Sequence, residues 1–495
     1  MAAISFPFET VLIANRGEIA VRIIGSLRKL GLRAAIVYHE VDAATPAVAL
    51  ADVAFKISGR TPVSAYLDAE QIVTAARTVG AGALHPGYGF LSENPGFARA
   101  VAAAGIAFIG PSPEAIELMG DKIRARNFVE GNGFPVAPSA IEESDPPTFL
   151  ARARSIGVPL LVKPSAGGGG KGMRIVRDLD LLEDAVAQAR SEGQRYFGDG
   201  RLYIERYVEK PRHIEVQVLG DAFGNVVHLF ERECSVQRRF QKIIEETPSP
   251  ALSPQMRQRI CETAAGIARA AGYRNAGTVE FIFGGGEFYF LEMNTRLQVE
   301  HRVTEMITGV DLVAEQIAIA ANRPLSFRQP DISAQGHAIE ARLYAESPER
   351  GFSPTSGKVL MLDYPHEQGV RVDSGIAQGQ SITTAFDPML AKVIVHAPTR
   401  DAAVAKAIRA VQDVVLLGCE TNAAFLARVL GDAGFRSGEV HTGYLDENPT
   451  IASGIDGDPD EVTKLLAVAA LAMRPVRDVA DAVPALHAAI GGWRN

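Results

Sequence analysis

Cysteine is scarce in this 495-residue chain: only Cys234, Cys261 and Cys419 occur, and no two are close enough to form a C-x-x-C pair. That spacing excludes a zinc-knuckle signature and a disulfide framework, and three reduced thiols are expected. Positive charge is not in excess either, since 50 Lys and Arg stand against 58 Asp and Glu, a formal net charge of −8. Binding along a nucleic-acid backbone rests on clustered Lys and Arg, so no nucleic-acid partner is expected. A local basic pocket for one nucleotide is still compatible with the balance. No apolar run approaches the ~20 residues that a bilayer span requires, so no membrane partner is expected. The ten residues before the first strand-like run hold no Lys or Arg, which speaks against a signal peptide and for a cytoplasmic location. Internal repeats and low-complexity tracts are also missing. What is present is 47% hydrophobic residues, enough for sizeable cores in roughly three domains of ~150 residues each.

The first 120 residues alternate strand-like runs with helical periods. Val11–Ala14, Ala34–Tyr38, Val53–Ile57, Gly82–His85 and Ala107–Ile109 read as strands. Ile19, Ile23, Leu27 and Leu30 recur at helical spacing, and Asp68–Val79 and Pro95–Ala104 read as further helices. This alternation predicts a parallel, doubly wound sheet with ligands at the carboxyl ends of its strands. The loops there are Asn15–Glu18 and His85–Asn94. Gly131–Pro147 is rich in Gly and Pro and reads as a linker. A small α/β segment follows, to about Val208, with a hairpin of Leu160–Pro164 and Met173–Val176. Glu215–Leu219, Val226–Phe230, Thr278–Phe283 and Glu287–Met293 predict an antiparallel sheet. Residues 330–450 continue as mixed α/β, and the chain beyond Pro459 reads as helical.

Two features carry chemistry. Ser165-Ala-Gly-Gly-Gly-Gly-Lys-Gly172 has five glycines in eight positions, which lets main-chain N–H groups approach a phosphate, with Lys163 and Lys171 alongside. It is not a P-loop, because Gly172 stands where a magnesium-binding Ser or Thr belongs; its hairpin setting suggests a lid over a triphosphate. The second feature is the hairpin around Gly284–Gly286. Centred near Gly286, it sets Glu280 opposite Glu292 on one face, with Cβ atoms roughly 5 Å apart. Paired carboxylates of this kind suit magnesium, which takes hard oxygen ligands and substrate phosphates. Beyond Glu292, the residues Asn294, Arg296, Gln298 and Glu300 alternate with Thr295, Leu297 and Val299. In an extended segment they line one face, where Arg296 could hold a small planar anion and Glu300 accept its proton.

The run Glu292-Met-Asn-Thr-Arg-Leu-Gln-Val-Glu-His301 with Val303–Met306 closely resembles the signature of biotin carboxylases. Ile13–Ala20, His85–Asn94, Met119–Lys122, the glycine loop, Pro211–Glu215, Gln241–Glu246 and Gly336–Arg342 also match, in collinear order over residues 8–447. The resemblance implies an α/β ATP-grasp fold. Its parts would be a Rossmann-like N-terminal domain (1–120), a linker and mobile lid (121–208), a catalytic core (209–330), a C-terminal subdomain (331–450) and a helical extension (451–495). By matching position it implies that Lys122, Lys163 and the loop Gly167, Gly168, Gly169 and Gly170 hold ATP phosphates. Glu205 and Val208 would border adenine, and His213 and Gln237 the ribose. Glu280 and Glu292, with Asn294 nearby, would ligate Mg2+ or Mn2+. Lys242, Arg296, Gln298 and Val299 would bind bicarbonate, with Glu300 as the base that deprotonates it for attack on the γ-phosphate. Arg342 would stabilise the biotin enolate beside Tyr88 and Gly89. A fixed cation is the device that a poor ureido nucleophile needs, and phosphoryl transfer needs positioning and charge neutralisation.

Three positions depart from the resemblance. Phe240 stands where a His is usual, so a polar contact near the nucleotide sugar is expected to be lost. Arg302 replaces a Pro, which adds a charge and backbone freedom beside Glu300. Phe386 replaces a Tyr, which removes a hydroxyl near the biotin side. The carrier tetrapeptide Ala/Val-Met-Lys-Met is missing, and Ala472-Met-Arg474 is only an echo of it. The chain is therefore expected to act on biotin carried by a separate domain or protein, with a carboxyltransferase partner and as a homodimer. The leading expectation is the first half-reaction of an acyl-CoA carboxylase. The alternatives are the same module in a pyruvate-type 2-oxoacid carboxylase, another ATP-grasp ligase, or a non-catalytic nucleotide-binding module.

Overall fold

The computed structural model describes residues 6–142, 146–164, 173–197, 200–453 and Val468. The apolar runs of the N-terminal part form β1 (Thr10–Ile13), β2 (Arg33–Tyr38), β3 (Val53–Lys56), β4 (Ala83–His85) and β5 (Ala107–Phe108). They pair in parallel in the order β3-β2-β1-β4-β5. Val11, Leu12 and Ile13 are all buried, as expected of a parallel strand covered on both faces. The helix Gly17–Lys29 follows β1, and Asp68 and Asn94 cap the helices Ala69–Thr78 and Pro95–Ala103 by accepting main-chain N–H bonds. The expected doubly wound sheet is present, with boundaries within one or two residues.

The expected linker is not free chain. The helix Lys122–Gly131 runs into it, Pro135 O accepts a bond from Phe290 N, Val136 bridges to Phe290, and β6 (Ser139–Ile141) lies inside it. β6 joins β7 (Leu160–Pro164), β8 (Arg174–Val176) and β9 (Leu202–Arg206) in a four-stranded antiparallel sheet, order β6-β9-β7-β8. The glycine loop, including Gly167–Gly170, lies outside the described residues.

The central sheet has eight antiparallel strands: β10 (Arg212–Gly220), β11 (Val226–Arg238), β12 (Gln241–Thr247), β13 (Asn275–Gly284), β14 (Glu287–Asn294), β15 (His337–Tyr344), and the strands Met389–Ala397 and Val370–Ser374. Their order is β14-β13-β10-β11-β12-β15, then Met389–Ala397, then Val370–Ser374. β12 pairs with β15, so strands from both sides of residue 330 share one sheet. β11 runs eight residues past the expected end at Phe230, and β12 was not foreseen as a strand. Both carry inward-facing charges, including Arg232, Glu233 and Glu245, that break the apolar alternation by which strands are recognised. These elements belong to one unit, Met1–Ile451. Ala452–Asn495 forms a second unit, and the helix expected after Pro459 falls outside the described residues except at Val468, which is helical. Among the described residues no helix is long and apolar enough to cross a membrane. All three cysteines are free and buried.

Candidate active site

Strand register builds a row of charges across the central sheet. Arg232 on β11 faces Glu215 on β10, Glu215 faces Glu280 on β13, and Glu280 faces Glu292 on β14. The expected Glu280–Glu292 opposition therefore holds, but the two differ in setting. Glu280 is buried, whereas Glu292 is part-exposed and lies 3.1 Å from Lys122 Nζ.

Lys242, from the start of β12, enters this row from above. Its Nζ lies 2.5 Å from Glu215 Oε2, 3.0 Å from Glu280 Oε1, 2.7 Å from Glu300 Oε1 and 3.2 Å from Gln298 Oε1. Burial alone would lower its pKa, but Glu215, Glu280 and Glu300 together hold it well above the usual lysine range. Beneath it the fully buried Arg232 donates to Glu215 Oε1 at 2.5 Å, and to Gln217, Thr304 and Thr278. Glu300 divides its two oxygens: Oε1 accepts from Lys242 and Oε2 accepts from Arg342 at 2.9 Å. Burial would raise Glu300, yet Lys242, Arg342 and Arg232 outweigh it and hold the carboxyl well below its usual range. Arg342 also contacts Glu245, whose carboxyl is pushed up to about 7 by burial, against the pull of Arg342 and with the push of Glu300.

The segment after β14 is a loop, not the extended strand expected. β14 ends at Asn294 and the helix His301–Thr308 starts after Glu300. The alternation survives because Thr295 and Leu297 are buried and anchor the loop. Asn294 Nδ2 and Gln298 Nε2 each donate to Glu280 Oε1 at 2.7 Å. Arg296 donates to Glu93 Oε2 at 2.9 Å and to Asn294 Oδ1 at 3.0 Å. His213 Nε2 lies 2.7 Å from Glu280 Oε2, and its Nδ1 meets Gln237 Nε2 at 2.8 Å. In the four-stranded sheet, Lys163 Nζ donates to Glu205 Oε1 at 2.7 Å. Val208 packs so closely on Gly284 that any side chain there would meet its Cγ1. On the far side Tyr88 donates its hydroxyl to Glu18, next to Gly89 at φ +67°. The Val299 carbonyl accepts from Lys392 Nζ at 2.6 Å.

Sequence reasoning assigned no role to Glu215, Arg232, Glu93, Glu245, Glu18 or Lys392. Glu215 carried a signal, since it lies two residues from His213 and so on the same strand face. Lys392 carried another, as a lone charge inside Met389–Val395. The departures also resolve. Phe240 is 87% exposed at a hairpin tip where Arg239 and Phe240 both take positive φ. Arg302 is not loose beside Glu300. It is helical and buried, and its guanidinium turns to Asp373 at 2.7 Å and to Glu305. The Phe386 ring lies under Arg16, 3.9 Å from centroid to guanidinium carbon, and packs edge-on against Tyr66.

A parallel α/β domain joined to an antiparallel sheet whose charged face holds a lysine among carboxylates defines an ATP-grasp ligase. Family comparisons agree. Residues 7–116 match the biotin carboxylase N-terminal domain, 121–328 the carbamoyl-phosphate synthase L chain ATP-binding domain, and 340–447 the biotin carboxylase C-terminal domain. The chain is 45% identical to a pyruvate carboxylase subunit of Methanothermobacter thermautotrophicus, over 92% of this chain and 93% of that protein. It is 46% identical to biotin carboxylase of Halalkalibacterium halodurans, over 90% and 99%. Among solved structures it resembles the biotin carboxylase domain dimer of Hydrogenobacter thermophilus 2-oxoglutarate carboxylase, in complex with MgADP, ADP and bicarbonate. That match has 44% identity and a TM-score of 0.82, covering 92% of this chain and all of that one. The chain belongs to the biotin carboxylase family, and its activity is that of an ATP-dependent ligase.

Proposed function

We propose that the chain carboxylates biotin presented by a separate carrier, using ATP and bicarbonate through carboxyphosphate, as the first half-reaction of an acyl-CoA carboxylase. The observation that carries this reading is Glu300, held with one oxygen on Lys242 and the other on Arg342. One carboxylate thus stands between a bicarbonate cradle and a cation for biotin.

In this reading Lys122, Lys163 and the loop Gly167–Gly170 hold the phosphates, Glu205 and Val208 border adenine, and His213 and Gln237 meet the ribose. Bicarbonate takes Lys242, Arg296, Gln298 and the main chain at Val299. Arg296 then exchanges Glu93 for the substrate, and Lys242 releases Glu300. With that cation engaged elsewhere, the basicity of Glu300 rises toward what a proton acceptor needs. Glu300 takes the bicarbonate proton while a carbonate oxygen attacks the γ-phosphorus and ADP leaves. Carboxyphosphate separates into CO2 and phosphate, and phosphate takes the N1′ proton of biotin. Arg342 steadies the enolate oxygen as N1′ bonds to CO2, with Tyr88 and Gly89 along that side.

The donor set fits a divalent cation. Glu280 and Glu292 face each other as hard oxygen donors; Asn294 lies alongside with its Nδ2 on Glu280 and its Oδ1 on Arg296, so its amide would have to turn to offer an oxygen. These residues would hold Mg2+ or Mn2+, which supplies charge neutralisation on the phosphates. The division of the chain near residues 120, 208, 330 and 450 and a homodimeric state belong to the same reading.

ATP cleavage measured with bicarbonate, with and without free biotin or a biotinylated carrier, tests the proposal. Stimulation by biotin is expected, and its absence overturns the reading. The acceptor has a second reading. Similarity to the Methanothermobacter pyruvate carboxylase chain favours a 2-oxoacid, while 45% identity to the methylcrotonoyl-CoA carboxylase alpha chain of Rattus norvegicus, over 88% of this chain and 62% of that one, favours an acyl-CoA. Supplying the carboxyltransferase partner with each acceptor separates them.

A further inference from the structure

Lys392 is fully buried in the middle of the strand Met389–Ala397, between Arg342 and Asp373 on the two neighbouring strands. Placing an ammonium there is costly unless its donors are matched. Its shortest bond, 2.6 Å, goes to the main-chain carbonyl of Val299, directly before Glu300. The loop from Thr295 to Glu300 belongs to no strand or helix, so side-chain anchors set the orientation of its peptides. The second partner of Lys392 is Glu18 Oε1 at 3.4 Å, on the first turn of the helix Gly17–Lys29. Glu18 in turn accepts the Tyr88 hydroxyl. Gly375 permits this approach, since a Cβ there would lie 2.6 Å from Glu18 N. Asp373, opposite Lys392 in the sheet, is already engaged by Arg302 and Arg371 at 2.7 Å each.

We propose that Lys392 is a positioning residue that ties the loop carrying Gln298, Val299 and Glu300 to Glu18 and Tyr88, so that the bicarbonate and biotin sides of the site are set by one buried ammonium. This rests on the reading of the site given above. A lysine kept only to neutralise Glu18 would not direct its shortest bond at a main-chain carbonyl of the reacting loop. The described residues assigned to ATP lie on other elements, so the role is selective.

The test compares the full chain with Lys392→Met, the double variant Lys392→Met with Glu18→Gln, and Glu300→Gln, in bicarbonate-dependent ATP cleavage with free biotin. In Lys392→Met the KM for bicarbonate should rise between ~10- and ~100-fold while the KM for ATP stays within about twofold, the pattern of a displaced reacting loop. The double variant removes the orphaned carboxylate, so it should regain thermal stability and keep the raised bicarbonate KM. Recovery of both in the double variant, or an unchanged bicarbonate KM in either Lys392 variant, overturns the inference. Glu300→Gln keeps the two failures apart. If it retains the wild-type rate, the reading of the site has failed. If it is inactive while the Lys392 variants bind bicarbonate normally, only the role of Lys392 has failed.

Discussion

Glu245 offers a test in which two physical accounts of one contact predict opposite signs. It is fully buried on β12, faces Glu340 across the ladder and touches Arg342. Neither oxygen of Glu340 has a hydrogen-bond partner among the described residues. If Arg342 dominated, Glu245 would behave as an ion-paired carboxylate, ionised in the folded state and stabilising at neutral pH. Burial, with Glu300 nearby, instead pushes it from 4.5 to about 7. The folded protein then holds a proton that the unfolded chain has released, so stability is full below the unfolded value and falls as pH rises toward 7. A gap of that size corresponds to about 3 kcal/mol at 1.36 kcal/mol per unit. Glu245→Gln is isosteric with the protonated acid and cannot ionise. Denaturation of wild type and variant should agree below about pH 4, under the unfolded value, and the variant should become more stable by about 3 kcal/mol near pH 8.5. Their difference isolates this group from the other titrations of the protein. Urea midpoints at fixed ionic strength across that range measure it. Parallel curves, or a variant that loses ground as pH rises, would refute the burial argument in favour of a stabilising ion pair.

Lys242→Met leaves Glu215, Glu280 and Glu300 without the ammonium that joins them; breaking such a buried set should cost about 3–5 kcal/mol and remove bicarbonate-dependent ATP cleavage, and a variant of wild-type stability and rate would contradict the arrangement described. Glu300→Gln should lower that cleavage by ~100-fold or more, the scale of a lost general base, with ATP binding by titration unchanged. Arg302→Met should destabilise by about 3–5 kcal/mol, because it leaves Asp373 and Glu305 short of a buried cation. Since its guanidinium is turned from Glu300, the bicarbonate KM of that variant should stay near wild type, and a large rise would restore a direct kinetic role. Glu292→Gln should raise the Mg2+ concentration needed for half-maximal ATP cleavage, and an unchanged Mg2+ dependence would remove Glu292 from the cation site.

The N-terminal sheet was legible because its inner strands are buried on both faces and read as unbroken apolar runs, as at Val11–Ile13. The central sheet was legible only where one face is ordinary core. Val279, Phe281, Phe288 and Phe290 alternate with partly buried or polar neighbours, and the glycines at Gly285 and Gly286, both at positive φ, fixed the turn. That turn pairs Phe281 with Phe290, and a bulge between Glu280 and Phe281 then brings Glu280 opposite Glu292. β11 past Phe230 and β12 were hidden because buried positions on both faces of these strands hold charges, Glu231, Arg232, Glu233, Glu245 and Glu246. A strand reads as solvated when its inward positions are charged, and active sites are where local pattern and fold disagree.

The row Asn294, Arg296, Gln298 and Glu300 was found by a period-two argument although the segment is a loop. Two buried side chains, Thr295 and Leu297, fix alternate residues as firmly as a ladder would. What periodicity could not supply is pairing. The buried carboxyl groups of Glu18, Glu215, Glu245, Glu280, Glu300 and Glu340 meet the buried Arg232, Arg342 and Lys392 and the part-buried Lys242, and the partners lie far apart in sequence. Lys242 and Arg342 are both engaged by Glu300 and its neighbours. On the proposed reading an incoming bicarbonate displaces Glu300 from Lys242, and Glu300 then loses the largest of the charges that hold its pKa down. In that reading, substrate binding and creation of the base are one event, which follows from the shared ion pairs rather than from any single residue.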